Sequence, residues 1–138
     1  MYRKILLAYD GSEASKKAFA AACGLALQHH AELLVLTVCR PPEIGDDVET
    51  EAVIESSRSF HRRMLAALKP ELAAKKIKSH LEVAVGHPAE QIIYHADEHD
   101  VDLIVVGDRG HSKFRQILLG SVSKQVAEHA GRQVLVVR

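Results

Sequence analysis

The sequence predicts an α/β domain built as a three-layer sandwich, with a five-stranded parallel sheet between two layers of helices. Three observations predict it. Five short apolar runs recur along the chain, at 5–8, 33–38, 81–85, 103–106 and 134–137. Most are rich in Val, Ile and Leu without polar alternation, which is the pattern of strands covered on both faces. A helical pattern separates each run from the next, and strict alternation of this kind implies parallel strands joined by right-handed crossovers.

The elements follow in order. After the first run, Ser12 offers an N-cap, and Ala18, Ala21, Ala22, Leu25 and Ala26 repeat at helical spacing, so a helix is expected over 12–29. His29 and His30 then stand where they meet the helix C-terminal dipole or solvent. The second run leads into 40–50, the most loop-like stretch before the final motif, with two prolines and several acids. A helical pattern over about 47–75 places Phe60, Met64, Ala67, Leu68 and Leu72 on one apolar stripe, and Pro70 predicts a kink or break. The third run begins Leu81-Glu82-Val83, and this alternation suggests an edge strand. Pro88 opens the next helix, with Ala89, Ile92, Ile93 and Ala96 on one face. The last helix starts near Ser121, aligns Val122, Val126, Ala127 and Ala130, and is expected to stop at Gly131.

Length and charge narrow the function. At 138 residues, 47% hydrophobic and 26% charged, the chain fits one globular domain over 1–138. Lys plus Arg and Asp plus Glu are 18 each, so nucleic acid is not the expected main partner. Cys23 and Cys39 form no C-x-x-C pair and read as buried, reduced thiols. No run approaches the ~20 apolar residues of a membrane span, and no signal-peptide core is apparent, so the expected location is cytoplasmic.

In open α/β sheets, ligands bind at the carboxyl ends of strands where the strand order reverses. Two such ends carry informative residues: Asp10-Gly11-Ser12 after the first strand, and the segment from Gly107 to Ser123 after the fourth. Gly107 and Gly110 permit close approach of backbone N–H groups to an anion. Gly120 and Ser121 stand where a helix begins, and its open N–H groups and dipole favour negative charge. The hydroxyls of Ser121 and Ser123 add hydrogen bonds. The connection is also longer than the ~2–6 residues usual between a strand and its helix. Taken together, Gly-x2-Gly-x9-Gly-Ser favours phosphate binding over a purely turning role. Neither G-x-x-x-x-G-K-[ST] nor G-x-G-x-x-G is present.

These residues resemble the universal stress protein family, whose ATP-binding signature G-2x-G-9x-G-[S/T] stands here as Gly107, Gly110, Gly120 and Ser121. The resemblance covers the whole chain. It includes the opening from Lys4 to Ser12, Gly86-His87-Pro88-Ala89, the segment from Asp102 to Gly107, and the ending from Gln133 to Val137. It implies strand order 3-2-1-4-5 in an adenine nucleotide alpha hydrolase-like fold. It implies ATP, with Mg or Mn, as the ligand. The motif glycines, Ser121, Val122 and Ser123 would wrap the phosphates, Gly107 would lie near the ribose, and Asp10 would face the nucleoside or a divalent cation. Ala8 and Val38 would flank adenine. It also implies a homodimer paired through the strand from Val134 to Val137, which would protect an apolar edge.

Some residues carry two readings. Asp108 would repel phosphate if it pointed inward, with Arg109, Lys113 and Arg115 either offsetting it or forming a solvated loop face. His111 either bonds phosphate or is an exposed loop histidine. His95 and His99 share a helix face, but no third ligand is evident in the sequence, so a polar face is expected and no metal site. No nucleophile, base and acid can be assembled, and no G-x-S-x-G elbow is present. Phosphoryl transfer needs an acceptor site that the sequence does not display, so slow ATP hydrolysis is the most catalysis expected. The primary expectation is a nucleotide-dependent stress-response module, in which occupancy orders the segment from Gly107 to Ser123. The alternatives are a weak ATPase or nucleotide-transfer enzyme, and a dimeric module that needs no nucleotide.

Overall fold

The computed structural model describes residues 1–41, 48–109 and 120–138, with side chains omitted at 48–50. The strands are β1 (Lys4–Ala8), β2 (Glu32–Cys39), β3 (Ser79–Val85), β4 (Leu103–Gly107) and β5 (Gln133–Val137). The helices are α1 (Glu13–His29), α2 (Val48–Ala66), α3 (Lys69–Ala74), α4 (Pro88–Glu98) and α5 (Ser121–His129). All strands pair in parallel, in the order β3-β2-β1-β4-β5. The expected sheet order holds, and β3 is an edge strand.

Alternation along each strand divides the core into two layers. Ile5, Leu7, Leu33, Val35 and Val105 face one side, packed with Ala18, Phe19, Ala22 and Ala26 of α1, Leu65 of α2 and Leu72 of α3. Leu6, Leu34, Leu36, Ile104 and Val106 face the other, packed with Ala89, Ile92 and Ala96 of α4 and Val126 of α5. These residues are nearly all buried, so the three-layer expectation holds.

Two helix boundaries differ from expectation. Pro70 sits in the first turn of α3, so the break falls at 67–68, ahead of the proline. There the missing N–H costs no intrahelical bond. Gly131 does not stop α5 through a left-handed turn. Ala130 already leaves the helix with φ −71° and ψ 133°. The left-handed stop is found at α1, where His30 takes φ 54° and ψ 41°. Phe60 also departs from the expected core stripe and is 58% exposed.

Candidate functional site

The carboxyl ends of β1, β2 and β4 open into one cleft of about 560 Å³, a volume suited to a small organic ligand. Sequence order explains its place. The chain leaves β1 for α1 on one face and leaves β4 for α5 on the other, so the two departures part above a gap. Ala8, Asp10, Val38, Gly107, Gly120, Ser121, Val122 and Ser123 all line this cleft. Gly110, His111, Lys113 and Arg115 lie outside the described residues.

At the β1 end, Gly11 turns the chain with φ +81°. Asp10 Oδ1 accepts the Ser12 N–H at 2.9 Å. Ser12 then caps α1, its Oγ accepting the Ser15 N–H at 3.1 Å. Asp10 is thereby held at the cleft by the turn that launches α1.

At the β4 end, Gly107 is required by contact and Gly120 is closely packed. A Cβ on Gly107 would stand 2.8–2.9 Å from the Ala14 backbone and side chain. One on Gly120 would stand 3.1 Å from the Asp108 carbonyl oxygen. Gly120 is the N-cap of α5, and among the described residues no side chain caps that helix. The first intrahelical bond runs from Lys124 N–H to the Gly120 carbonyl at 2.9 Å. The amides of Ser121, Val122 and Ser123 therefore belong to the unpaired first turn, at a helix end that carries partial positive charge.

The Ser123 side chain has a different task from the one expected. It is buried, and its hydroxyl donates to the Gly107 carbonyl. A hydroxyl has one proton to give, so the backbone N–H is the donor that Ser123 retains for a ligand. Asp108 is buried beside the cleft, with Oδ2 3.6 Å from Arg109 Nε. Arg109 itself lines the cleft.

Among the lining residues outside the expected set, four bear on ligand chemistry. Arg40 directly follows β2, which was its available signal. Arg109 was left between two readings. Phe60 and His61 reach the cleft from α2, brought there by the crossover from β2 to β3, which no local pattern encodes. Arg40 and Arg109 supply guanidinium groups, whose planar forks suit phosphate. His61 Nδ1 lies 2.7 Å from the Ser57 carbonyl and 3.1 Å from Cys39 Sγ. A carbonyl only accepts, so the Nδ1 proton is on the ring and Nε2 is its acceptor when neutral. Cys39 accordingly has no general base at Nδ1, in keeping with a structural thiol.

His95 and His99 share a face of α4, as expected, and Glu82 of β3 joins them, with all three donor atoms within 4.8 Å of one another. The third candidate ligand comes from the neighbouring strand.

The family model described as the universal stress protein family matches residues 1–138. Universal stress protein YxiE of Bacillus subtilis is 36% identical, with 100% of each chain covered. UspA from Lactobacillus plantarum aligns with a TM-score of 0.87 at 26% identity, over 99% of this chain and 98% of that one. A universal stress protein solved in complex with cAMP aligns with a TM-score of 0.77 at 26% identity, over 99% and 97% of the two chains.

Proposed function

Because the chain belongs to the universal stress protein family, we propose that it binds an adenine nucleotide, ATP, in the cleft at the carboxyl ends of β1, β2 and β4. One observation carries this reading. A helix N-terminus with no side-chain cap among the described residues, a glycine that admits no Cβ (Gly107), a closely packed Gly120 and two arginines converge on a single cleft of ligand size. Backbone amides at such an end hold phosphate oxygens without a counter-ion. The cAMP complex of a similar protein supports an adenine nucleotide as the ligand class.

The residues divide the ligand among them. Ala8 and Val38 flank the base, beside Ile92 of α4. Gly107 lies toward the ribose. Gly120 and the amides of Ser121, Val122 and Ser123 take the phosphates, the role the family signature also gives Gly110. Asp10 faces the nucleoside or a Mg or Mn ion, a hard cation that favours carboxylate and phosphate oxygens. The ion would screen charge between phosphates. On this reading the protein acts as a nucleotide-loaded module in the stress response, with slow ATP hydrolysis as the most catalysis expected.

The apolar edge of β5 is the assembly surface. Leu135 is 37% exposed there, flanked by partly buried Val134 and Val136. Pairing of two copies through Val134 to Val137 would cover that edge.

Calorimetric titration of nucleotide-free protein with Mg-ATP tests the site. Saturable binding of one ATP per chain is expected, and Gly120→Asp should abolish it by placing a carboxylate among the phosphate amides. Absence of binding at millimolar ATP overturns the reading. Equilibrium sedimentation of Leu135→Lys should show monomer where the parent is a dimer.

A further inference from the structure

We propose that Glu82, His95 and His99, with His80 as a fourth donor, form a binding site for a divalent transition metal of the zinc type, at the opposite end of the sheet from the nucleotide cleft. The placement follows from two periodicities. His80 and Glu82 are two apart on β3 and share one face; in register they pair with Leu34 and Leu36 of β2, on the face that α4 covers. His95 and His99 are four apart on α4 and share one face. The fold lays these two pairs against each other.

One oxygen is the focus of the cluster. Glu82 Oε2 lies 3.5 Å from His80 Nε2, 3.6 Å from His95 Nδ1 and 3.5 Å from His99 Nε2. These separations are too long for good hydrogen bonds. Those to His95 and His99 match the spacing of a coordination sphere, in which donors about 2.1 Å from a tetrahedral zinc lie roughly 3.4 Å from one another. His80 stands outside this group of three and joins it by rotation of its exposed side chain. The rings of His95 and His99 are nearly parallel, at 17°, with centroids 6.1 Å apart. His80 tilts toward His99 at 6.0 Å.

The second observation is unmet bonding capacity. Glu82 Oε2 and His95 Nδ1 are both buried atoms, and among the described residues neither has a hydrogen-bond partner. Buried polar atoms are normally satisfied. A cation seated between them satisfies both at once. Imidazole and carboxylate donors together suit zinc over magnesium or calcium, which prefer all-oxygen shells. The bound metal would tie the edge strand β3 to α4, a structural role.

The test is a zinc titration of the full chain, stripped of metal and without nucleotide, in competition with a chromophoric chelator. One zinc per chain is expected. A hundredfold excess over Kd should raise Tm by roughly 5–10 °C. Each of His95→Ala, His99→Gln and Glu82→Gln should weaken binding by about 100-fold. His99 is partly exposed, so His99→Gln keeps the fold if His95→Ala does not, and circular dichroism checks both. Cobalt should give the visible absorption of a four-coordinate site, lost in His99→Gln. Zinc binding that is unchanged in His99→Gln and Glu82→Gln assigns the metal to other histidines and overturns the proposal. So does the absence of saturable binding, which leaves a carboxylate ringed by imidazoles as a set of ion pairs.

Discussion

The amide of Gly120 donates to the carbonyl of Asp108 at 2.6 Å, so the two ends of the β4–α5 connection are clasped backbone to backbone. The two described motif glycines, Gly107 and Gly120, flank or form this clasp, but they answer to different neighbours. Gly107 is pressed by Ala14 of α1, at 2.8–2.9 Å from any added Cβ, and Gly120 by the clasp itself at 3.1 Å. Gly107→Ala should therefore cost about 1–3 kcal/mol of stability, because backbone must move. Gly120→Ala should cost about 0.5–1 kcal/mol, since shifts of a few tenths of an ångström relieve it. Urea denaturation of the two variants checks the order.

Ser123→Ala removes the buried hydroxyl that donates to the Gly107 carbonyl. A stability loss of about 1–2 kcal/mol is expected. Nucleotide affinity should change little, because the amide remains. A calorimetric Kd near the parent value, beside a lowered Tm, is the expected pair of results.

Asp102 predicts an acid limb in the stability profile. Its Oδ2 accepts the N–H groups of Lys4 at 2.9 Å and Arg3 at 2.6 Å. These bonds hold the carboxyl below its ordinary value. A depressed native pKa contributes stability above the unfolded value of about 3.9, lost as pH falls through the native one. Asp102→Asn should flatten this part of the profile below about pH 4, measured by denaturant midpoint against pH.

Cys23 is 1% exposed, and burial pushes its thiol up to about 11. Little thiolate exists at pH 8, and the reagent must await opening of the structure. In a Cys39→Ser background, Cys23 should react with a disulfide reagent slowly, at a rate that rises with urea. Rapid labelling in buffer would contradict the packing of α1 on β4.

Much of the fold was legible because it is written in local periodicity. The apolar runs located every strand, and Ser12, Pro88 and Ser121 marked helix starts correctly. Of the candidate site, the residues at strand ends were legible, since strand ends in such sheets converge by topology. Phe60 and His61 were not, because a crossover helix brings them in. The Glu82–His95–His99 cluster was not legible for a related reason. His95 and His99 announce themselves at i, i+4, but Glu82 meets them only once β3 docks beside α4. The Ser123 hydroxyl shows the limit of motif logic, since a serine at a phosphate motif turns out to brace the backbone of the preceding strand.

Helix α4 carries Pro88 and Ile92 into the cleft at its first turns and His95 to the other end of the sheet, with His99 as its C-cap. It is one unbroken rod, and on the two proposals above it would be a shared axle between their ligands. Linkage then imposes an equality: the factor by which zinc changes the Kd for ATP must equal the factor by which ATP changes the Kd for zinc. A common factor away from one makes α4 a transmitter, and a factor of one makes it a spacer on which two independent chemistries happen to be mounted.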